Sequence, residues 1–252
     1  MEFEIWQIIL LFLASFFAGF IDSIAGGGGL ITIPALLAVG IPTHIALATN
    51  KLQSSFGSFS ASYNFAKKGF VDFKELKIGI IWTFIGATLG TLSVLLVSAD
   101  TIKFLIPIML IIIFIYTIFK PNLGEFEREK KMSEKMFYTI FGLLIGFYDG
   151  FLGPGTGSFW TIAMLAFIGL EMKKAVAHTK VLNFTSNIVS LVVFIIGGQI
   201  LWLIGIIMGF GQLFGAYLGS TMVVKKEVKF IKTIFLIVVA VTILKLIYDL
   251  LS

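Results

Sequence analysis

The sequence predicts an all-α polytopic membrane protein made of two inverted repeats of about five membrane segments each, with glycine-broken short helices near the midplane. Three observations predict it: an apolar excess, an internal repeat at a near-constant offset, and a lysine distribution that alternates between the copies. Of the 252 residues, 58% are hydrophobic and only 13% are charged, against a charged share of about 25% in globular domains. A soluble domain of this length could not bury so much apolar surface in one core, whereas a bilayer hides it directly. The formal charge of +5 sits on lysines in short loops between apolar runs. That pattern orients membrane helices and does not point to nucleic acid. Cysteine is absent, which excludes disulfides and thiolate metal sites. His44 and His178 are too few for a transition-metal centre, so neither metal nor cofactor is expected.

In chain order, apolar runs occur at 5–24, 29–41, 43–66, 77–98 and 103–119, then at 136–152, 157–170, 174–197, 201–224 and 230–250. The first follows Glu2 and Glu4 and not a basic segment, so it reads as a retained helix and not a signal peptide. The runs at 29–41 and 157–170 are shorter than the roughly 20 residues a span needs. Each follows a glycine break, which suits half-helices or re-entrant segments. Trp6, Trp82, Trp160 and Trp202 read as interfacial anchors.

The repeat is read from paired motifs. GFIDSIAGGGG, from Gly19, aligns with GFYDGFLGPGTG, from Gly146, and places Asp22 on Asp149 and Gly26 on Gly153. After the glycine run the offset becomes 129, placing Lys51 on Lys180, GATLGT (from Gly86) on GAYLGS (from Gly215), and Lys103 on Lys232. The expected division is a first membrane repeat over 1–120, a cytoplasmic linker over 121–135 and a second membrane repeat over 136–252.

Lysines set the orientation. Lys67, Lys68, Lys74 and Lys77 crowd the junction 67–77, while its mate 196–206 has no charge. Lys225, Lys226, Lys229 and Lys232 crowd 224–232, while the mate 98–103 has only Asp100 and Lys103. Lys173 and Lys174 likewise face a lysine-free junction at 41–44. Basic loops stay inside, so the copies must face opposite ways, with an odd number of crossings each. Five per copy leaves both termini outside and the linker, with Lys120, Arg128, Lys130, Lys131 and Lys135, inside.

An ionisable side chain within a span costs about 2.5–3.5 kcal/mol on insertion scales and is rarely idle. Asp22 and Asp149 each lie four residues before a glycine break. Lys51 and Lys180 lie about eight residues into the third helix of each copy, roughly 10–13 Å deep. These charges either line one cavity, the lysines attracting an anion and an aspartate accepting a coupling proton, or they pair and hold helices together. If Lys51 were only the partner of Asp22, Asp22→Asn would rescue Lys51→Gln. The glycine runs free backbone amides ahead of helices starting near Leu30 and Ser158, where negative charge is favoured. The alternative is close packing or a kink, and packing is the better reading for Gly86, Gly90, Gly215 and Gly219. Polar residues crowd the third helices, from Thr49, Asn50, Gln53 and Ser54 to Asn64, and from Thr179 and Asn183 to Asn187 and Ser190. These helices are therefore expected to line the pathway. His178 reads as structural. The candidate substrate-binding residues are Lys51, Lys180, Asn50, Thr179 and Asn183, with Gly27, Gly28, Gly29, Gly155, Thr156 and Gly157. Asp22 and Asp149 are candidates for proton coupling or for structural pairing. No nucleotide loop is present.

The pattern D-x-x-A-G-G-G-G-L-I-x-x-P, from Asp22 to Pro34, with G-I-P and A-x-A-T-N-K, ending at Lys51, resembles the first half of the sulfite exporter TauE/SafE family. G-x-x-x-G-x-x-G-P-G-T-G, ending at Gly157, and A-x-A-H-T-K, ending at Lys180, resemble its second half. The second copy has Ile162 or Ala163 where the first has Pro34. The resemblance implies an inner-membrane permease for sulfite, a sulfonate such as sulfoacetate, thiosulfate or a related organic anion. The expected protein is therefore a secondary transporter of a small anion, proton-coupled, and not an enzyme. Its expected partners are that anion and the lipid bilayer, and self-association into a homo-oligomer is compatible with the sequence. The alternatives are a passive anion channel and, third, a membrane-embedded assembly factor or enzyme.

Overall fold

A computed structural model describes residues 3–98, 101, 129–197, 200–227, 230 and 233. The described residues form helices and no strand. They are α1 (Ile5–Ala25), α2 (Gly29–Ala38), α3 (Thr43–Lys67), α4 (Phe73–Leu95), α5 (Glu134–Phe151), α6 (Thr156–Ala163), α7 (Met172–Ile196) and α8 (Trp202–Lys225). Helices α1, α4, α7 and α8 are long and apolar enough to cross a membrane. The runs expected at 103–119 and, apart from two residues, 230–250 lie outside the described residues, as does most of the linker.

Local chemistry sets the ends. Glu4 and Gln7 form a reciprocal capping box at the start of α1, and Gly26 stops that helix at φ +75°, a conformation only glycine adopts freely. Asp72 caps α4, accepting from the N–H of Lys74 at 2.8 Å and of Glu75 at 3.4 Å. These two bonds hold its exposed carboxyl below the usual carboxylate range. That cap starts α4 four residues earlier than hydropathy alone suggests, so Lys74 and Lys77 lie on its first turns and not in a loop. Pro34 sits inside α2. Helix α6 has no proline and instead continues into a π-helical turn over Met164–Ile168, closed by Gly169 at φ +67°.

The halves exchange partners. Helix α1 packs on α8 and α5 on α4, while α3 packs on α8 and on α7, and α7 on α4. Glycine allows backbones to touch at the two tightest seams. A Cβ on Gly215 would lie 2.9 Å from Phe16 C and Phe20 N, and one on Gly90 2.9 Å from Phe147 C and Phe151 N. Gly86 and Gly219 face Phe147 and Phe20 in the same manner. The packing reading of these four glycines is therefore the observed one.

The two ends of the molecule differ in charge. Lys174 bridges to Glu75 at 3.0 Å, Lys173 donates to Val224 O, and the N–H of Lys131 donates to Phe167 O. The basic junctions on either side of α4, α5, α7 and α8 thus share one end. Leu37, Val97 and Ile200 pack together at the other end, near which Ile41, Leu201 and Phe3 form a second cluster. The end of α2 therefore returns to the end where α1 begins, and the end of α6 returns to the end where α5 begins. The short helices re-enter and do not cross, which corrects the count of five crossings per copy. A hairpin that returns adds no net crossing. The chain leaves α4 at one end, where Thr101 lies against Ser98, and after that residue it is next described at Glu129–Lys131 at the other.

Two tryptophans are not interfacial anchors. Trp160 is fully buried, with its ring 6.2 Å from Phe137. Trp82 lies mid-helix against Gly142. Trp6 and Trp202 are exposed near helix starts, as anchors are.

Gly215→Ala forces α1 and α8 apart and lowers the melting temperature in detergent, by a stability loss of about 1–3 kcal/mol. Gly197→Ala meets nothing closer than 3.5 Å and leaves the melt unchanged.

Candidate functional site

The two glycine breaks meet. Gly26, Gly27, Gly153 and Gly155 all have positive φ, between +75° and +109°, where a side chain is strained. A Cβ on Gly157 would lie 2.7 Å from Gly26 Cα, and one on Gly29 3.3 Å from Pro154 Cα. Ser158 Oγ ties the breaks together by donating to Ala25 O at 2.8 Å. Glycine is thus required both for the local turn and for the approach of the second turn.

The four intramembrane charges converge here, and they pair across the halves. Lys51 Nζ lies 2.6 Å from Asp149 Oδ1, and Lys180 Nζ lies 2.8 Å from Asp22 Oδ2. The partner of Lys51 is therefore Asp149 and not Asp22, so the rescue by Asp22→Asn named above does not apply. The two pairs are held differently. Asp149 is gripped by side chains, with Ser186 Oγ donating to Oδ2, while Lys51 also donates to the Asp149 carbonyl and to Asn187 Oδ1 at 3.3 Å. Asp22 is gripped by backbone as well, its Oδ1 accepting from Gly27 N and Gly28 N at 3.0 Å each. That carboxylate sits at the start of α2, where the orphan amides and the helix dipole favour an anion.

A cavity of about 30 Å³ opens between the breaks, room for roughly two waters. Its wall consists of glycines and polar side chains only. The first half supplies Asp22, Gly27, Gly28, Gly29, Asn50 and Ser54, and the second supplies Asp149, Gly153, Gly155, Thr156, Gly157, Asn183 and Asn187. The cavity thus gathers Gly27–Gly29, Gly155–Gly157, Asn50, Asn183 and both aspartates. Lys51 and Lys180 stand behind the aspartates, their side chains 3% and 1% exposed. Thr179 lies off the wall, bonded to Thr161 at 3.2 Å. Asn50 is fixed by Thr32 Oγ1 at 2.6 Å and Gln53 Nε2 at 2.7 Å, both donating to its Oδ1. His178 lies outside the cavity, Nε2 accepting from Asp72 N–H at 3.4 Å and Nδ1 3.3 Å from Tyr138 Oη.

One wall residue escaped sequence reasoning. Gln212 of α8 enters between two glycines: a Cβ on Gly19 would lie 2.9 Å from its Cα, and one on Gly57 3.0 Å from its Cδ. The available signal was a lone amide in a glycine-rich apolar helix. Gln212 Oε1 and Asn183 Oδ1 are buried and have no hydrogen-bond partner. Among the described residues no cluster of three or more His, Asp or Glu could hold a metal ion.

Removing one partner of a buried pair leaves the other charge uncompensated, at a cost of about 3–5 kcal/mol. Lys51→Met is expected to destabilise by that order in a detergent melt. Adding Asp149→Leu restores most of the loss, while adding Asp22→Asn does not.

Comparison with known proteins places the chain in a family. The model of the sulfite exporter TauE/SafE family matches residues 11–246. A Haemophilus influenzae protein named "Probable membrane transporter protein" is 44% identical over 253 residues, covering 99% of this chain and 98% of that one. YfcA of Escherichia coli K12, named in the same way, is 46% identical over 240 residues, covering 95% and 89%. YdhB of Bacillus subtilis, again so named, is 25% identical over 219 residues, covering 84% and 87%. No solved structure matches the chain.

Proposed function

The chain belongs to the sulfite exporter TauE/SafE family of membrane transporters, and on that premise we propose that it is a proton-coupled secondary transporter of a small anion. Sulfite, a sulfonate such as sulfoacetate or a related organic anion is the class of substrate. The observation that carries the reading is the anion already seated at the site: a carboxylate on two glycine amides and a buried ammonium. An oxyanion of sulfur presents the same acceptor oxygens to the same donors. The amides of Asn50 and Asn183 and the backbone of Gly155–Gly157 line the same cavity and complete the seat.

Coupling follows from charge. Two lysines and two aspartates sum to zero, so an anion entering a buried neutral site is opposed unless a carboxylate takes up a proton. A cavity with room for about two waters is a binding seat and not an open pore, which favours a carrier over a channel. The re-entrant hairpins suit alternating access, with each half opening the shared seat toward one end.

The lysine-rich end belongs inside by the positive-inside rule. In the cell's inner membrane, the linker 121–135 between repeats 1–120 and 136–252 then lies in the cytoplasm and both termini lie outside.

Two measurements test this reading. Proteoliposomes holding the full chain are expected to take up at least one of sulfite, thiosulfate and sulfoacetate, faster when an inward proton gradient is imposed. Absence of flux for every anion tested overturns the assignment. Cysteines replacing Lys68 and Lys226 are expected to be shielded from an impermeant thiol reagent in intact cells, while cysteines replacing Asp100 and Gly198 are labelled. The reverse pattern or a mixed one overturns the orientation.

A further inference from the structure

The repeat-related ion pairs are not equivalent, and their difference assigns separate tasks to them. The Lys51–Asp149 pair is sealed, its side chains 3% and 5% exposed, and only side chains hold the carboxylate of Asp149. Asp22 is more open, its side chain 16% exposed, and it rests on Gly27 N, Gly28 N and Lys180 Nζ. Those three donors are the set an oxyanion requires: two adjacent amides at a helix start and one ammonium.

The alignment offset shows what else differs. Ser186, which donates to Asp149, corresponds to Gly57 in the first half. Asp22 therefore has no such serine. The space over Gly57 is filled by the Gln212 amide, whose Oε1 is buried, unpartnered and on the wall of the same cavity. Asn183 Oδ1, of a residue lining the same cavity, is also buried and unpartnered. Buried acceptors without partners are costly, and both await a donor. An ionised carboxylate can only accept hydrogen bonds, whereas a protonated one carries an O–H.

Resting on the transporter reading above, the geometry points to Asp22 as an internal stand-in for the substrate. The anion displaces its carboxylate from Gly27 N, Gly28 N and Lys180 Nζ only when Asp22 gains a proton. Its O–H then turns to the vacant amide oxygens of Asn183 or Gln212. Charge balances at each step. Before exchange the seat holds Lys180⁺ and Asp22⁻, and afterwards it holds Lys180⁺, a monovalent anion and neutral Asp22. One proton thus enters with each monovalent anion, and Lys51–Asp149 serves as the fixed pin around which the exchange takes place. The charged groups facing Asp22 are Lys180 from α7 and, across the cavity, Asp149 from α5 with Lys51 from α3 behind it. Helices α2, α6 and α8 contribute no titratable group to the wall.

The test uses the full chain in detergent with methanesulfonate, or ethanesulfonate if methanesulfonate does not bind, because either probe is monovalent and keeps its charge across the neutral range. Methanesulfonate binding is expected to take up about one proton per anion, read with an indicator in weak buffer. Its affinity is expected to fall about tenfold per pH unit wherever binding takes up one full proton. In Asp22→Asn the proton uptake vanishes and the affinity becomes flat with pH. In proteoliposomes that variant no longer responds to a proton gradient. Wild-type binding without proton uptake, or an unchanged pH slope in Asp22→Asn, overturns the inference while leaving anion transport intact. If Asp22→Asn does not fold, the wild-type proton count and slope decide alone. If the wild type neither binds nor transports any of the anions tested here or above, the transporter reading itself fails, and this inference with it.

Discussion

The structure depends on one constraint: four charges buried at membrane depth must neutralise one another across the two halves. Each half carries a lysine that it does not pair with its own aspartate. Lys51 needs Asp149, and Lys180 needs Asp22. Either half alone would leave an ammonium and a carboxylate unpaired in a low-dielectric interior, where such groups are strongly disfavoured. The crossed pairs therefore dock the halves and fix where the two glycine breaks meet.

That docking requires unusually close backbone approach. The helices that carry the aspartates are seated on glycine: Gly215 and Gly219 of α8 lie against α1, and Gly86 and Gly90 of α4 lie against α5. In lipid, helix association relies on such contact because the surrounding tails are as apolar as the side chains. The same seams keep the polar faces of α3 and α7 turned inward, where Ser58 meets Asn187 at 3.4 Å. Packing and chemistry thus share one cause, since the small residues that let helices touch also leave room for a polar cavity.

The halves share a plan but not a detail. A proline in α2 is answered by a π-helical turn after α6. A serine beside Asp149 is answered by a glycine and an inserted glutamine amide beside Asp22. Divergence of this kind gives the two carboxylates different surroundings, side chains around Asp149 and backbone amides around Asp22. A strictly symmetric pair would give both carboxylates the same environment.

The sequence by itself determined the described helices, the two breaks, the polar faces of α3 and α7, and which residues could meet at a site. These follow from local properties: hydropathy over a span, the free φ of glycine, and the cost of a charge in lipid. Even so, the start of α4 was misplaced, because the Asp72 cap is a backbone contact that hydropathy does not register. Only the tertiary structure decided that Lys51 belongs to Asp149, that α2 and α6 turn back, that Trp160 is core, and that Gln212 reaches the cavity. Each of these rests on contact between segments far apart in the chain. An offset of 129 residues identifies equivalent positions but not neighbours, and neighbours are set by how closely two backbones can approach.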